Sequence, residues 1–123
     1  MKVMALDYGS ARTGVAVSDP TGTIARPLGV VEKAATDAGL ARLRELILEE
    51  APERIVVGLP LTLRGEYGEQ AQETERFVAQ LSRAVDTPVD LFDERFTSVL
   101  ADGDDARAAA HLLSSYLEWS RGR

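Results

Sequence analysis

The sequence predicts an α/β fold: a five-stranded mixed sheet with helices on both faces. Two observations carry this. Near the N-terminus three strand-like runs follow one another with no helix between them, which suggests an antiparallel meander. From residue 36 onward helix and strand patterns alternate, which suggests parallel crossovers.

The first run is apolar and ends at Leu6, and the second is Val15-Ala16-Val17. Between them the segment from Gly9 to Gly14 reads as a tight turn. Ile24 to Val31 reads as a third strand, and Pro27 inside it suits a sheet edge, where a missing N–H leaves no ladder bond open. Thr36 and Asp37 then offer an N-cap, and Leu40, Leu43, Leu46 and Ile47 keep helical spacing to about Ala51, before Pro52. Arg54 to Leu59 is almost wholly apolar, as expected of a strand covered on both faces. After a loop from Pro60 to Gly68, a second helix fits Glu69 to Val85, with Ala71, Thr74, Phe77, Val78, Leu81 and Val85 on one side. Val89 to Phe92 reads as the last strand, and Asp105 to about Trp119 as the last helix.

At 123 residues the chain is expected to form one domain, residues 1–123, with a core of its own. It has no cysteine, which excludes a disulfide framework and a thiolate metal site. Its single histidine, His111, excludes a multi-histidine zinc cluster, so a resident metal would be held by oxygen, as Mg2+ or Mn2+ are. No apolar run approaches the roughly 20 residues that span a bilayer, and no signal-peptide pattern is present, so a cytoplasmic protein without a membrane partner is expected. The net charge of −6 is awkward for a nucleic-acid binder. The charge is uneven: residues 1–62 carry 7 basic and 8 acidic groups, residues 63–123 carry 7 and 12. The second half holds Asp93, Glu94, Asp102, Asp104 and Asp105, so part of the excess acid can be metal ligands rather than a repelling surface.

Asp7 follows the first apolar run, where a carboxylate at the tip of a buried strand needs a cation or hydrogen-bond donors to offset its desolvation. Ser10, Arg12 and Thr13 crowd the next turn, and all can touch a phosphate.

Four motifs occur in order across nearly the whole chain: LDYGSARTGVAVSD from Leu6, VVGLPLTLRGEYGEQA from Val56, DERFTS from Asp93, and DARAAAHLLSSYL from Asp105. Together they resemble the YqgF/RuvX family, whose fold is RNase H-like and related to the RuvC resolvases. The resemblance implies strand order 3-2-1-4-5. It implies a nuclease acting on structured RNA or branched DNA, as a Holliday junction resolvase or a pre-16S rRNA nuclease, dependent on Mg2+ or Mn2+. Two divalent ions held by carboxylates would supply the charge stabilisation and activated water that phosphodiester hydrolysis demands. Asp7, Glu94 and Asp105 are the expected catalytic and metal-binding residues, with Asp93 and Asp104 as neighbours that could replace the latter two. In related enzymes an acid follows the fourth strand; here that strand ends Gly58-Leu59-Pro60, and Glu94 is the expected replacement. Arg12 and Arg95 are candidates for phosphate contacts or for orienting the acids, and Arg64, Thr97 and Ser98 for substrate contacts. Tyr116 and Trp119 are expected to pack rather than to stack on bases.

The chain departs from the family in one place. Ser98 reaches Asp104 through only five residues, where family members carry a longer stretch, commonly a helix with a basic loop. A non-catalytic RNase H-like binding module is the alternative reading. An actin-like ATP-binding half is a third, and it ranks last because it needs a second domain to close over nucleotide. A homodimer is expected only if the resolvase role holds.

Overall fold

In the computed structural model, which describes residues 1–61, 67–93 and 104–122, the order of elements is the expected one. Strand β1 (Val3–Asp7) is buried along its apolar part and pairs antiparallel with β2 (Arg12–Ser18). Strand β3 (Ala25–Glu32) pairs antiparallel with β2, and Gly22 in the connecting hairpin takes a left-handed φ of 72°. The register shifts between Val15 and Ala16, which pair with Gly29 and Pro27, so the proline sits at an irregularity of an edge strand.

Helix α1 (Asp37–Glu50) begins as expected at Thr36, whose hydroxyl accepts from the Gly39 amide at 3.2 Å. It ends at Ala51, whose left-handed backbone (φ 49°) returns an N–H to the Ile47 carbonyl just before Pro52. Strand β4 (Arg54–Leu59) lies parallel to β1, and β5 (Val89–Asp93) parallel to β4. Helix α2 (Glu69–Ala84) precedes β5, and helix α3 (Asp105–Arg121) closes the described chain, two residues beyond the expected Trp119. The sheet order is β3-β2-β1-β4-β5, as the resemblance implied.

Alternation along the strands divides the core in two. Met4, Leu6, Val15 and Val57 meet Leu43 and Ile47 of α1 and Phe77 and Leu81 of α2 on one face. Val3, Ala5, Ala16 and Val56 meet Ala109, Leu112, Leu113 and Leu117 of α3 on the other. The second face is built from smaller side chains, which lets α3 lie close to the sheet. Strands β1, β4 and β5 are parallel, so all three end at one lip, the edge where open α/β sheets place their sites.

Candidate active site

Asp7 is the last residue of β1 and half-buried, so its carboxylate belongs to a rigid strand end. Its partner across the β1–β2 ladder is Gly14. Val3 and Ala5 face α3, so alternation puts Asp7 on that face as well. Leu6 pairs with Val57 and Gly58 pairs with Phe92. A row of Gly14, Asp7, Gly58 and Phe92 therefore crosses four strands on one face. The carboxylate stands between two residues without side chains.

Helix α3 starts directly over this row. A Cβ placed on Gly14 would lie 1.7 Å from the backbone oxygen of Asp105 and 3.0 Å from the Ala106 nitrogen. Gly14 is thus required by a close approach between strand and helix. Gly9 serves the preceding turn, where a Cβ would meet the Arg12 carbonyl oxygen at 2.6 Å.

The capping residue of α3 is Asp104. Its carboxylate accepts from the Arg107 amide at 3.0 Å, and its carbonyl accepts from the Ala108 amide. Either of the two adjacent aspartates has the chemistry of a cap, and the structure gives that role to Asp104. With Asp104 in that role, the Asp105 carboxylate is turned to Arg12, whose Nε lies 2.9 Å from Asp105 Oδ2. The structure therefore joins three of the nominated positions, Asp7, Arg12 and Asp105, through three contacts: Asp7 to Gly14 by strand pairing, Gly14 to Asp105 by packing, and Arg12 to Asp105 by an ion pair.

Asp93 is the last residue of β5 and pairs with Leu59. It shares the face of Val57 and Val89, opposite to Asp7, so the strand register disfavours it as a replacement ligand. Arg64, Glu94, Arg95, Thr97 and Ser98 lie outside the described residues. Among the described residues no group of three or more acidic or histidine side chains is placed to hold a metal ion.

Tyr8 turns the other way and stacks on Phe77, with ring centroids 4.4 Å apart. Its hydroxyl donates to Glu73 at 3.4 Å. Burial, reinforced by the Glu73 carboxylate, raises its pKa above the ordinary tyrosine value. This link between the site strand and α2 was not foreseen from sequence. Tyr116 and Trp119 pack with Phe92 in an aromatic trio, centroids 5.5–5.7 Å apart, although Trp119 keeps 47% of its surface exposed.

The model of the RuvX Holliday junction resolvase family matches residues 1–119. This chain belongs to that family. Among its RuvX relatives, a Chloroflexus aurantiacus protein provisionally named as a pre-16S rRNA nuclease is 46% identical over 100 residues. The match covers 81% of this chain and 65% of that protein, so the chain spans just under two thirds of that relative's length. A Syntrophomonas wolfei protein with the same provisional name is 38% identical over 133 residues, covering 96% of this chain and 94% of that protein. A span of 133 residues exceeds the 123 of this chain, so that relative carries extra residues within the match. The short connection before α3 is in keeping with this.

Among solved structures, Thermus thermophilus RuvC in complex with Holliday junction substrate superposes with a TM-score of 0.63 at 18% identity, covering 99% of this chain and 96% of that one. The fowlpox virus Holliday junction resolvase gives 0.57 at 13% identity, covering 97% and 99%. At such identities the likeness is one of fold.

Proposed function

We propose that this chain is a divalent-metal-dependent nuclease that hydrolyses phosphodiester bonds in structured nucleic acid, with Asp7, Glu94 and Asp105 as its metal ligands. The observation that carries the proposal is the convergence of Asp7 and Asp105 on Gly14, at the lip where three parallel strands end. The donor set fits Mg2+ or Mn2+: without cysteine and with one histidine, the site offers hard oxygen ligands. Two such ions, when bound, would stabilise the charge at the scissile phosphate and the attacking water.

The chain's own residues have separate tasks. Asp7 supplies a carboxylate on a strand that the core holds fixed. Gly14 and Gly58 put no side chain beside it, and the Gly14 position is taken up by the backbone of Asp105. Asp104 satisfies the helix start, so that Asp105 need not. Glu94 follows β5 directly in the sequence, and its part in the ligand set is supported by the motif that carries it, Asp93 to Ser98.

Precursor 16S rRNA is the substrate that the relatives' names favour, with branched DNA second. Either substrate agrees with the cytoplasmic location expected from the sequence. No helix among the described residues is long and apolar enough to cross a membrane. A homodimer belongs to the DNA-resolving role, which needs two opposed sites. The net charge of −6 favours one other reading, a non-catalytic RNase H-like module.

The deciding experiment incubates the wild type and Asp7→Asn with a precursor rRNA stem and with a four-way DNA junction, in Mg2+ or Mn2+. Cleavage by the wild type alone supports the proposal. Equal cleavage by both removes Asp7 from it, and metal-independent binding without turnover favours the module.

A further inference from the structure

We infer that Arg12 is a positioning residue: it holds the first turn of α3 so that one oxygen of Asp105 is committed and the other is presented to a cation. The inference rests on the metal-site reading above. The Arg12 backbone is fixed on the sheet by pairing with Glu32, and the neighbouring Ala11 carbonyl accepts from the Lys33 amide at 2.9 Å. From this anchored base the guanidinium reaches α3 and engages Asp105 Oδ2 through Nε. Among the described residues Oδ1 of Asp105 receives no hydrogen bond. Gly14, two residues along the same strand, meets the Asp105 backbone from below. The helix start is therefore located at two points by one strand, its backbone by Gly14 and its carboxylate by Arg12.

An ion pair with side chains 63% and 35% exposed adds little to folding. Its consequence is geometric. A fixed carboxylate binds a cation with less reorganisation than a freely rotating one, and groups that orient metal ligands commonly change affinity by about 10–100-fold.

The test uses the full chain and Mn2+ alone, with free ion followed by electron paramagnetic resonance. Arg12→Ala should weaken Mn2+ binding about tenfold with the melting temperature nearly unchanged, and Arg12→Lys should restore part of the loss. Unchanged or tighter binding in Arg12→Ala overturns the inference, the tighter case because it would make Arg12 a competitor of the ion. Hydrogen exchange without metal provides an independent arm. The Ala108 amide, bonded to the Asp104 carbonyl, should exchange faster in Arg12→Ala, and an unaltered rate overturns the inference as well. A wild type that takes no Mn2+ refutes the metal-site reading itself, while the exchange arm still decides whether Arg12 pins the helix.

Discussion

The backbone oxygen of Asp105 lies where a side chain on Gly14 would begin, 1.7 Å from the ideal Cβ position. The fold can satisfy this contact only with glycine, because both partners are backbone. Gly14→Ala should push α3 off the strand. Overpacking of this kind costs roughly 1–3 kcal/mol, which thermal or urea unfolding would register. Cleavage should fall by more than the unfolded fraction explains, because the Asp105 carboxylate moves with the helix. A variant as stable and active as the wild type would mean that the helix start is not held there.

Two adjacent aspartates divide the work of the α3 N-terminus, and substitution should separate them. Asp104→Ala removes the bond from the Arg107 amide and should cost about 1 kcal/mol of stability, with most activity kept. Asp105→Asn should leave stability almost unaltered and lower cleavage by more than about a hundredfold, since loss of a ligand exceeds the 10–100-fold effect of groups that merely orient one. Melting curves and initial rates on the same preparations check both. The reverse pattern would exchange the two roles.

How far the sequence could be read depends on which contacts are local. The order of elements along the chain and the faces of the strands followed from runs such as Val3–Asp7 and Arg54–Leu59 and from the alternation after Thr36, all properties of neighbouring residues, whereas the strand order in the sheet came from the family resemblance. Asp7 was legible as a candidate because an acid ending an apolar run is costly without a partner. The tasks of Gly14 and Asp104 were not. Gly14 had a sufficient local explanation in the turn, and its closest contact comes from a helix 91 residues later. Asp104 and Asp105 are chemically equal as caps until packing against β2 decides between them. The stacking of Tyr8 on Phe77 was likewise hidden, since each residue had an ordinary local role.

Gly58 stands beside Asp7 on the α3-facing side, between it and Phe92. A glycine inside a strand is intrinsically unfavourable, so replacing it by a β-branched residue should not weaken the sheet's own preference. Gly58 is buried, so Gly58→Val also carries an overpacking cost of roughly 1–3 kcal/mol. If the space beside Asp7 serves substrate or Glu94, cleavage should fall by more than this loss of stability explains. Retained cleavage would show that the space beside Asp7 serves neither.

Asp19 closes the β2–β3 hairpin by collecting donors. Its carboxylate accepts from the amides of Thr21, Thr23 and Ile24 and from the Thr21 hydroxyl. These bonds, the one from Ile24 foremost, hold its pKa well below the ordinary value of 3.8. Because the folded value is depressed, the unfolded chain binds the proton first as pH falls. The hairpin's contribution is then complete above about pH 5 and is lost progressively as the pH drops below 4. Melting temperature measured from pH 7 to pH 2.5 should decline more steeply for the wild type than for Asp19→Asn, and the two curves should draw together at the acid end. Parallel curves over that range would show that the carboxylate's charge is not what closes the turn.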